Sequence, residues 1–238
     1  MPVNLFSPVN SQRPCITALC VAILALSTIA MGAVKPIIAQ TEAPPPIDQL
    51  IETLQTKLGS VHDFSAEFEH RYTGSMIQTT VVEHGTVSVK KPGKWIFNYT
   101  SPEEKLFISD GQTIYSYYPL DNQVIVAPAP RGAQPSTPTF FLAGRENLML
   151  DFVGAYAETT HTKRGSLTIR LTPIRPSQNY DWLTLVVDEL SLQISQLIAT
   201  DLQGGTSSFI FSNLKENQGL ADNLFTFEIP RNSDVIKH

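Results

Sequence analysis

The chain has 238 residues, with 17 basic and 22 acidic side chains and a formal net charge of −5 at pH 7. This balance argues against a nucleic-acid partner, because neutralising phosphates requires a basic surface. Both cysteines, Cys15 and Cys20, lie in the first 39 residues. A mature chain that starts after them is therefore expected to have no disulfide and no cysteine ligand for a metal.

Residues 1–39 have the pattern of a secretory signal peptide. Arg13 precedes an uncharged apolar run over 15–34, and small residues follow it. Cleavage after Ala33 and cleavage after Ala39 both fit the pattern, and the sequence does not choose between them.

Two other interpretations of this leader remain open. The apolar run is long enough to span a bilayer if it is not cleaved. A lipoprotein signal ending at Cys20 is the second, but Leu19 stands where a small residue is needed.

After a proline-rich linker at 40–46, a single domain is expected over 47–238. Apolar residues at helical spacing, among them Leu50 and Leu54, predict an amphipathic helix. Gly59 is a suitable residue to end it.

Alternation of apolar and polar residues then predicts ten or eleven antiparallel strands. The strand patterns cover 64–72, 76–91 (one strand or two, with a bulge or bend at Gly85), 94–99, two strands within 105–118, 122–127, 155–162, 166–173, 181–189, 191–201 and 206–214. One helical turn and a last short strand are expected within 220–230.

Proline interrupts the strand pattern over 127–138, and one or two short helices are predicted over 137–152. Long antiparallel meanders curl, because flat open edges invite association. The sequence therefore predicts a mainly β (α+β) protein, whose sheet forms a barrel or a strongly bent sheet with an interior to fill.

The sequence lacks the usual signs of catalysis. The five histidines of the mature chain are not at metal-binding spacing, and neither a G-x-S-x-G motif nor a phosphate loop occurs. His70 shares the apolar face of its strand and is interpreted as a core histidine. We predict that the protein is not an enzyme and binds no metal.

Aromatic residues give the stronger signal. Trp95, Phe97 and Tyr99 alternate, so they share one face of a strand, although the pattern does not say whether that face is the inner one. Phe140 and Phe141 follow a proline-rich loop and are interpreted as part of a lid.

Several stretches together resemble the periplasmic outer-membrane lipoprotein carrier family, LolA. They are "DFSAEFEHRY", "GTVSVKKPGKWIFNYTSPEEKLFISDGQTIYSYYPLDNQVIVAP", "TPTFFLAG" and "FTFEIP". The similarity covers nearly all of 47–230 and is most specific over 85–126. It implies an incomplete antiparallel β-barrel with helices as a lid over an apolar cavity.

The resemblance also implies a function. Such a carrier takes triacylated lipoproteins from an ABC-type releasing complex in the inner membrane and delivers them to a receptor at the outer membrane. It works in the periplasm, is expected to be a monomer and uses no cofactor. The residues expected to line the cavity and lid are Leu50, Leu54, Trp95, Phe97, Tyr99, Tyr115, Tyr117, Phe140, Phe141, Leu142, Phe209 and Phe211.

One position departs from the family pattern. Arginine typically precedes the proline of the basic turn and bonds the lid helices, whereas this chain has Lys91. Lysine lacks the planar fork of donors, so Lys91 is a candidate for a weaker latch at the cavity rim.

The sequence leaves alternative functions open. The protein is a carrier, an anchored outer-membrane receptor of the same pathway, or one protein that does both jobs. Alternatively, it regulates a signalling protein by sensing lipid or lipoprotein. A lipid-handling enzyme is the least favoured, because no catalytic site is visible.

Overall fold

The computed structural model describes residues 44–76, 79–129, 147–158 and 164–238. Two α-helices and a 3-10 turn occur in these ranges: α1 (Ile47–Ser60), α2 (Leu148–Asp151) and the turn Asp222–Phe225. The strands are β1 (Asp63–Thr73), β2 (Thr80–Lys90), β3 (Lys94–Ser101), β4 (Lys105–Asp110), β5 (Thr113–Tyr118), β6 (Gln123–Pro128), β7 (Phe152–Tyr156), β8 (Ser166–Pro173), β9 (Trp182–Asp188), β10 (Ile194–Thr200), β11 (Thr206–Glu216) and β12 (Asp234–Lys237).

All of these strands belong to one open sheet. Their order is β12-β6-β5-β4-β3-β2-β1-β11-β10-β9-β8-β7. Neighbours pair antiparallel, except that β12 pairs parallel with β6. Within the described residues the sheet does not close on itself, so β12 and β7 are its two edges. The predicted mainly β fold, with an incompletely closed sheet, is confirmed.

The strand count is 12 in the described part of the chain, slightly above the predicted ten or eleven. The last strand is also displaced: it was expected within 220–230 but lies at Asp234–Lys237. Phe225 and Phe227 lie in the segment expected to form this strand, but they pack on a sheet face instead of pairing with an edge. Of the helices predicted over 137–152, residues 137–146 lie outside the described ranges, and the remainder contains α2.

The two faces of the sheet are distinguished by strand register. Val89 pairs with Trp95, and Val87 pairs with Phe97, so these residues share a face. Leu50, Ile51 and Leu54 of α1 belong to the same buried cluster as these side chains. We call this the inner face, and the opposite one the outer face.

Gly85 permits a close approach between β2 and β3. The pairing register shifts between His84 and Gly85, which confirms the bulge or bend expected there. A Cβ atom at Gly85 would lie 2.2 Å from the carbonyl oxygen of Asn98 and 2.7 Å from Cζ of Phe68. Only glycine fits this position without a shift of the backbone.

A smaller apolar cluster lies on the outer face. Ile108, Val124 and Phe225 are each at most 2% exposed, and the 3-10 turn containing Phe225 packs against β3 and β4. Lys90 Nζ and Lys94 Nζ both form ion pairs with Asp222, at 2.6 and 3.1 Å. The segment after β11 therefore covers the outer face of the sheet at β3 and β4.

The two tryptophans lie on opposite faces. Trp95 is buried on the inner face, with its ring 5.9 Å from that of Phe97. Trp182 precedes the inward-facing Leu183 in β9, so it points to the outer face. There the guanidinium of Arg170 lies 4.0 Å from the Trp182 ring centre.

Among the described residues, no helix combines the length and the hydrophobicity needed to cross a membrane.

Candidate functional site

Seven of the predicted cavity residues meet on the inner face. They are all buried and belong to one hydrophobic cluster: Leu50, Leu54, Trp95, Phe97, Tyr99, Phe209 and Phe211. Phe68 lies at the centre of their rings, with centroid distances of 5.6 Å to Phe97, 4.9 Å to Tyr99 and 5.7 Å to Phe209. The inner face is thus a continuous aromatic and aliphatic surface.

Two predicted cavity residues lie elsewhere. Tyr115 pairs with Ile108 and Tyr117 pairs with Leu106, whereas the inward-facing Phe97 pairs with Phe107. Tyr115 and Tyr117 are therefore on the outer face. Their rings contact that of Phe227 at 5.4 and 5.7 Å.

The structure does not bring Tyr115 and Tyr117 together with the other candidates, and we do not include them in the site. The three candidate lid residues, Phe140, Phe141 and Leu142, lie outside the described residues. Their role remains a prediction.

Helix α1 packs on the inner face at the β7 side of the sheet. A Cβ atom at Gly154 of β7 would lie 2.8 Å from Cδ1 of Ile51, so this glycine lets the helix approach closely. Gln55 Oε1 accepts a hydrogen bond of 2.7 Å from the backbone amide of Leu148. This bond joins α1 to the start of α2, where backbone donors lack partners within the helix.

Lys91 contacts the last turn of the same helix. Its Nζ donates a hydrogen bond of 2.5 Å to the carbonyl oxygen of Leu58. Carbonyls in the last turn of a helix have no intrahelical partner and carry partial negative charge, so a lysine ammonium suits them. Desolvation by burial lowers the pKa of Lys91, and the nearby charge of Glu216 opposes that shift. Lys91 is thus placed where a latch on α1 would need to be.

A group of polar side chains interrupts the inner face at its other end. We call His70, Glu83, Tyr99, Lys105 and Ser207 the polar cluster. His70 Nδ1 lies 3.1 Å from Glu83 Oε2, and His70 Nε2 lies 2.9 Å from Ser207 Oγ. Lys105 Nζ forms an ion pair with Glu83 and lies 5.0 Å from the centre of the Tyr99 ring.

The cluster is largely withdrawn from water. Exposed fractions of the His70, Glu83 and Lys105 side chains are 15, 14 and 22%. Burial lowers the pKa of His70, although its hydrogen bond and charge interaction with Glu83 act in the opposite direction. Burial also raises the pKa of Tyr99, as does the charge of Glu83. Near neutral pH His70 is thus uncharged.

Only part of this cluster was visible in the sequence. His70 was recognised on the apolar face of its strand, but Glu83 and Lys105 were not assigned to a site. A signal was present: Glu83 has the strand parity of Val87 and Val89, so it points to the same face. Charged residues are unusual at strand positions that face the core unless they are paired with an opposite charge.

Ser207, His70 and Glu83 are hydrogen-bonded in the same sequence as the serine, histidine and carboxylate of a hydrolase triad. Ser207, however, lies within β11 and is paired with Tyr72 and with Ala199 on its two neighbouring strands. Hydrolases of this kind need donors directed at the developing oxyanion, whereas a serine within a ladder has its backbone amide committed to the sheet. The geometry therefore favours a role in holding a polar group in place over a role in nucleophilic catalysis.

In the described ranges, no group of three or more His, Cys, Asp or Glu side chains is arranged to hold a metal ion.

Comparison with known proteins agrees with this architecture. The sequence profile of the outer membrane lipoprotein carrier protein LolA matches residues 59–228. The chain belongs to the LolA family. The resemblance inferred from the sequence is thereby confirmed.

Relatives with this family name cover most of the chain. An outer-membrane lipoprotein carrier protein from Cupriavidus taiwanensis is 30% identical over 189 residues, which cover 78% of this chain and 87% of the relative. One from Azotobacter vinelandii is 28% identical over 216 residues, covering 90% of this chain and 97% of the relative.

A solved structure supports the fold. An uncharacterized conserved protein from Thermus thermophilus superposes with a TM-score of 0.51 at 11% identity, covering 80% of this chain and 99% of that protein. At this identity the likeness concerns the fold alone.

Proposed function

We propose that this member of the LolA family is a periplasmic carrier that binds the acyl chains of lipoproteins on its inner face. The observation that carries the proposal is the continuous apolar surface formed by Trp95, Phe97, Phe209 and their neighbours beneath α1. Its relatives named as outer-membrane lipoprotein carriers support the same function.

The energetics of acyl chains favour such a surface. Moving one methylene out of water contributes about 0.8 kcal/mol, so three long chains carry a penalty of tens of kcal/mol in water. A carrier needs an apolar environment comparable to a membrane, and it must also release its cargo. Many weak contacts with aromatic and aliphatic side chains meet both needs.

The direction of transport follows from the same proposal. The carrier receives a lipoprotein from an ABC-type releasing complex of the inner membrane and delivers it to a receptor at the outer membrane. Opening of α1 at the Lys91 contact, together with the predicted lid residues Phe140, Phe141 and Leu142, exposes the inner face for loading and release.

The first test is native mass spectrometry of protein purified gently from the periplasm, with organic extraction of any bound molecule. A bound acylated lipoprotein is expected. Free phospholipid alone would contradict lipoprotein as the cargo.

A binding assay tests the same proposal in vitro. The protein is expected to take up a fluorescent tripalmitoylated lipopeptide from phosphatidylcholine vesicles. The double substitution F140D/F141D should abolish this uptake and leave the circular dichroism unchanged. L150D is a matched control, because Leu150 of α2 is 73% exposed. Uptake that survives F140D/F141D would contradict the lid assignment, and no uptake by the unmodified protein would contradict the carrier function.

A further inference from the structure

We propose that the polar cluster is a binding subsite for the ester and amide linkage that joins acyl chains to the polar part of the cargo. The inference rests on the proposed carrier function and adds to it an orientation. The acyl chains extend from the cluster along the apolar inner face towards Lys91, and the peptide leaves at the cluster.

The position of the cluster supports this assignment. β1 begins beside the Lys91 turn, where Asp63 pairs with Lys90, and seven residues later His70 pairs with Glu83. Phe64, Ala66 and Phe68 lie between these two ends on the inner face and are buried. The inner face thus has an apolar stretch with a polar group at one end, which is the shape of an amphiphile.

The length of the apolar stretch suits an acyl chain. From Phe64 to His70 the strand rises about 20 Å, at roughly 3.3 Å per residue. A single leaflet of a bilayer has an apolar depth of about 15 Å, since the whole hydrocarbon core is about 30 Å thick. A chain that starts at the polar cluster therefore finds enough apolar surface before it reaches the turn at Lys91.

The donors of the cluster select the chemistry of the ligand. The Lys105 ammonium carries three N–H donors, and among the described residues one of them goes to the Glu83 carboxylate. Others are available for carbonyl oxygens. The charge of Lys105 is already balanced by Glu83, so an uncharged, acceptor-rich ester suits the site better than a phosphate. The cluster is expected to discriminate against anionic phospholipid headgroups.

A purely structural role explains the cluster less well. Burying an ion pair requires desolvation that its attraction often fails to repay, and a well-packed apolar pair is frequently as stable or more so. Glu83 and Lys105 are mostly buried beside Phe209, whose ring stacks on His70 at 4.2 Å. A surface needed only to shelter hydrocarbon would gain from apolar residues at these two positions.

The test uses the whole mature protein and three probes offered from phosphatidylcholine vesicles. The probes are a tripalmitoylated glycerylcysteinyl peptide, dipalmitoyl phosphatidate, and an alkylpyrene of similar chain length that has no polar atom. E83Q/K105M removes both charges together, so neither is left buried without its partner. K90M/D222N is the matched control, because it removes an ion pair on the outer face.

We expect E83Q/K105M to weaken lipopeptide binding about tenfold, as for loss of a hydrogen bond from a charged donor. Alkylpyrene binding should not change, and the preference for lipopeptide over phosphatidate should shrink. K90M/D222N should bind all three probes as the unmodified protein does. An equal loss for lipopeptide and alkylpyrene, or a loss for neither, would overturn the subsite.

Failure of the carrier function gives a different result, because the unmodified protein would then take up neither the lipopeptide nor the alkylpyrene. A second measurement does not depend on the folding of a variant. The unmodified protein is cross-linked to two lipopeptides, one with a diazirine beside the ester and one with a diazirine at the chain end. The first should label residues around His70 and the second residues around Phe64; the reverse pattern would overturn the proposed orientation.

Discussion

At the scale of single residues, His70 makes the stability of the fold depend on pH. Burial lowers its pKa in the folded state below the ordinary value of 6.5. Well above 6.5 the imidazole is neutral in both the folded and the unfolded state, and burial of the neutral ring contributes its full stability. As the pH falls from 6.5 towards the lowered pKa, the unfolded chain binds the proton first, so the free energy of unfolding decreases.

We therefore expect the urea midpoint to fall between about pH 7.5 and about pH 5.5, and H70Q to reduce this fall. Protonation of one histidine lowers the free energy of unfolding by at most about 1.4 kcal/mol per pH unit. H62Q is the matched control, because His62 is exposed. Equal pH dependence in H70Q and the unmodified protein would show that His70 is protonated equally in both states.

Gly85 gives a second prediction at this scale. G85A places a Cβ atom 2.2 Å from the carbonyl oxygen of Asn98, and the paired backbone of β3 has little freedom to move away. Overpacking of this kind costs about 1–3 kcal/mol or more. Urea unfolding should show that loss in G85A.

The control is G59A in α1, where the new Cβ atom meets nothing within 4 Å. It should be neutral or stabilising by up to about 1 kcal/mol. Similar midpoints for G85A and G59A would mean that β2 and β3 can separate at the bulge without cost.

At the scale of secondary-structure elements, the proposed opening of the inner face depends on how α1 is attached. Lys91 bonds one carbonyl of its last turn, and Gln55 bonds the first amide of α2. K91M should remove the first bond, which contributes roughly 1.5 kcal/mol for a charged donor, and local opening of α1 should become about tenfold more frequent. Hydrogen exchange of the α1 amides measures this directly.

K91R provides the informative comparison. The guanidinium offers several donors in a fixed plane, so exchange of α1 in K91R is expected to be as slow as in the unmodified protein, or slower. K215M changes an exposed lysine of β11 and should leave α1 unaffected. If K91M accelerates exchange equally in α1 and in the central strands, Lys91 stabilises the whole fold and does not act as a latch.

The elements also show how far the sequence could predict the site. Alternation of side chains is a local property, so most strands were placed correctly, and it put Trp95, Phe97 and Tyr99 on one face. That this face is the inner one was an expectation from the family resemblance. Which face a strand turns inwards depends on register across the sheet. Tyr115 and Tyr117 alternate as clearly as Trp95 and Phe97, but Phe227, far along the chain, returns to cover them on the outer face.

The polar cluster was hard to predict for a related reason. Its members come from five strands, and only register brings Glu83 opposite His70 and Lys105 opposite Tyr99. The sequence shows charged residues at strand positions that face the core, but it does not show that they lie close enough to form an ion pair.

At the scale of the whole molecule, the sheet formed by the described strands is open, and its two edge strands could pair with other chains. The edge strand β12 is short and bonds the full length of Asp234–Lys237 to β6. Deleting residues 231–238 would expose the backbone donors and acceptors of β6. We expect the truncated protein to associate with increasing concentration, as light scattering coupled to gel filtration would show.

The control for this deletion is the substitution D234N/K237Q, which keeps β12 and changes only its charges. It should elute like the unmodified protein. A truncated protein that stays monomeric at all concentrations would show that β6 is protected by something other than β12.

The placement of the two tryptophans, one on each side of the sheet, has a practical consequence. The chain has only these two, so W182F leaves a single emitter beside Phe97 on the inner face, and W95F leaves one beside Arg170 on the outer face. Under the proposed function, cargo on the inner face should change the emission spectrum of the first variant, and it should leave that of the second variant unchanged. Intrinsic tryptophan fluorescence should then follow the binding and release of cargo in real time.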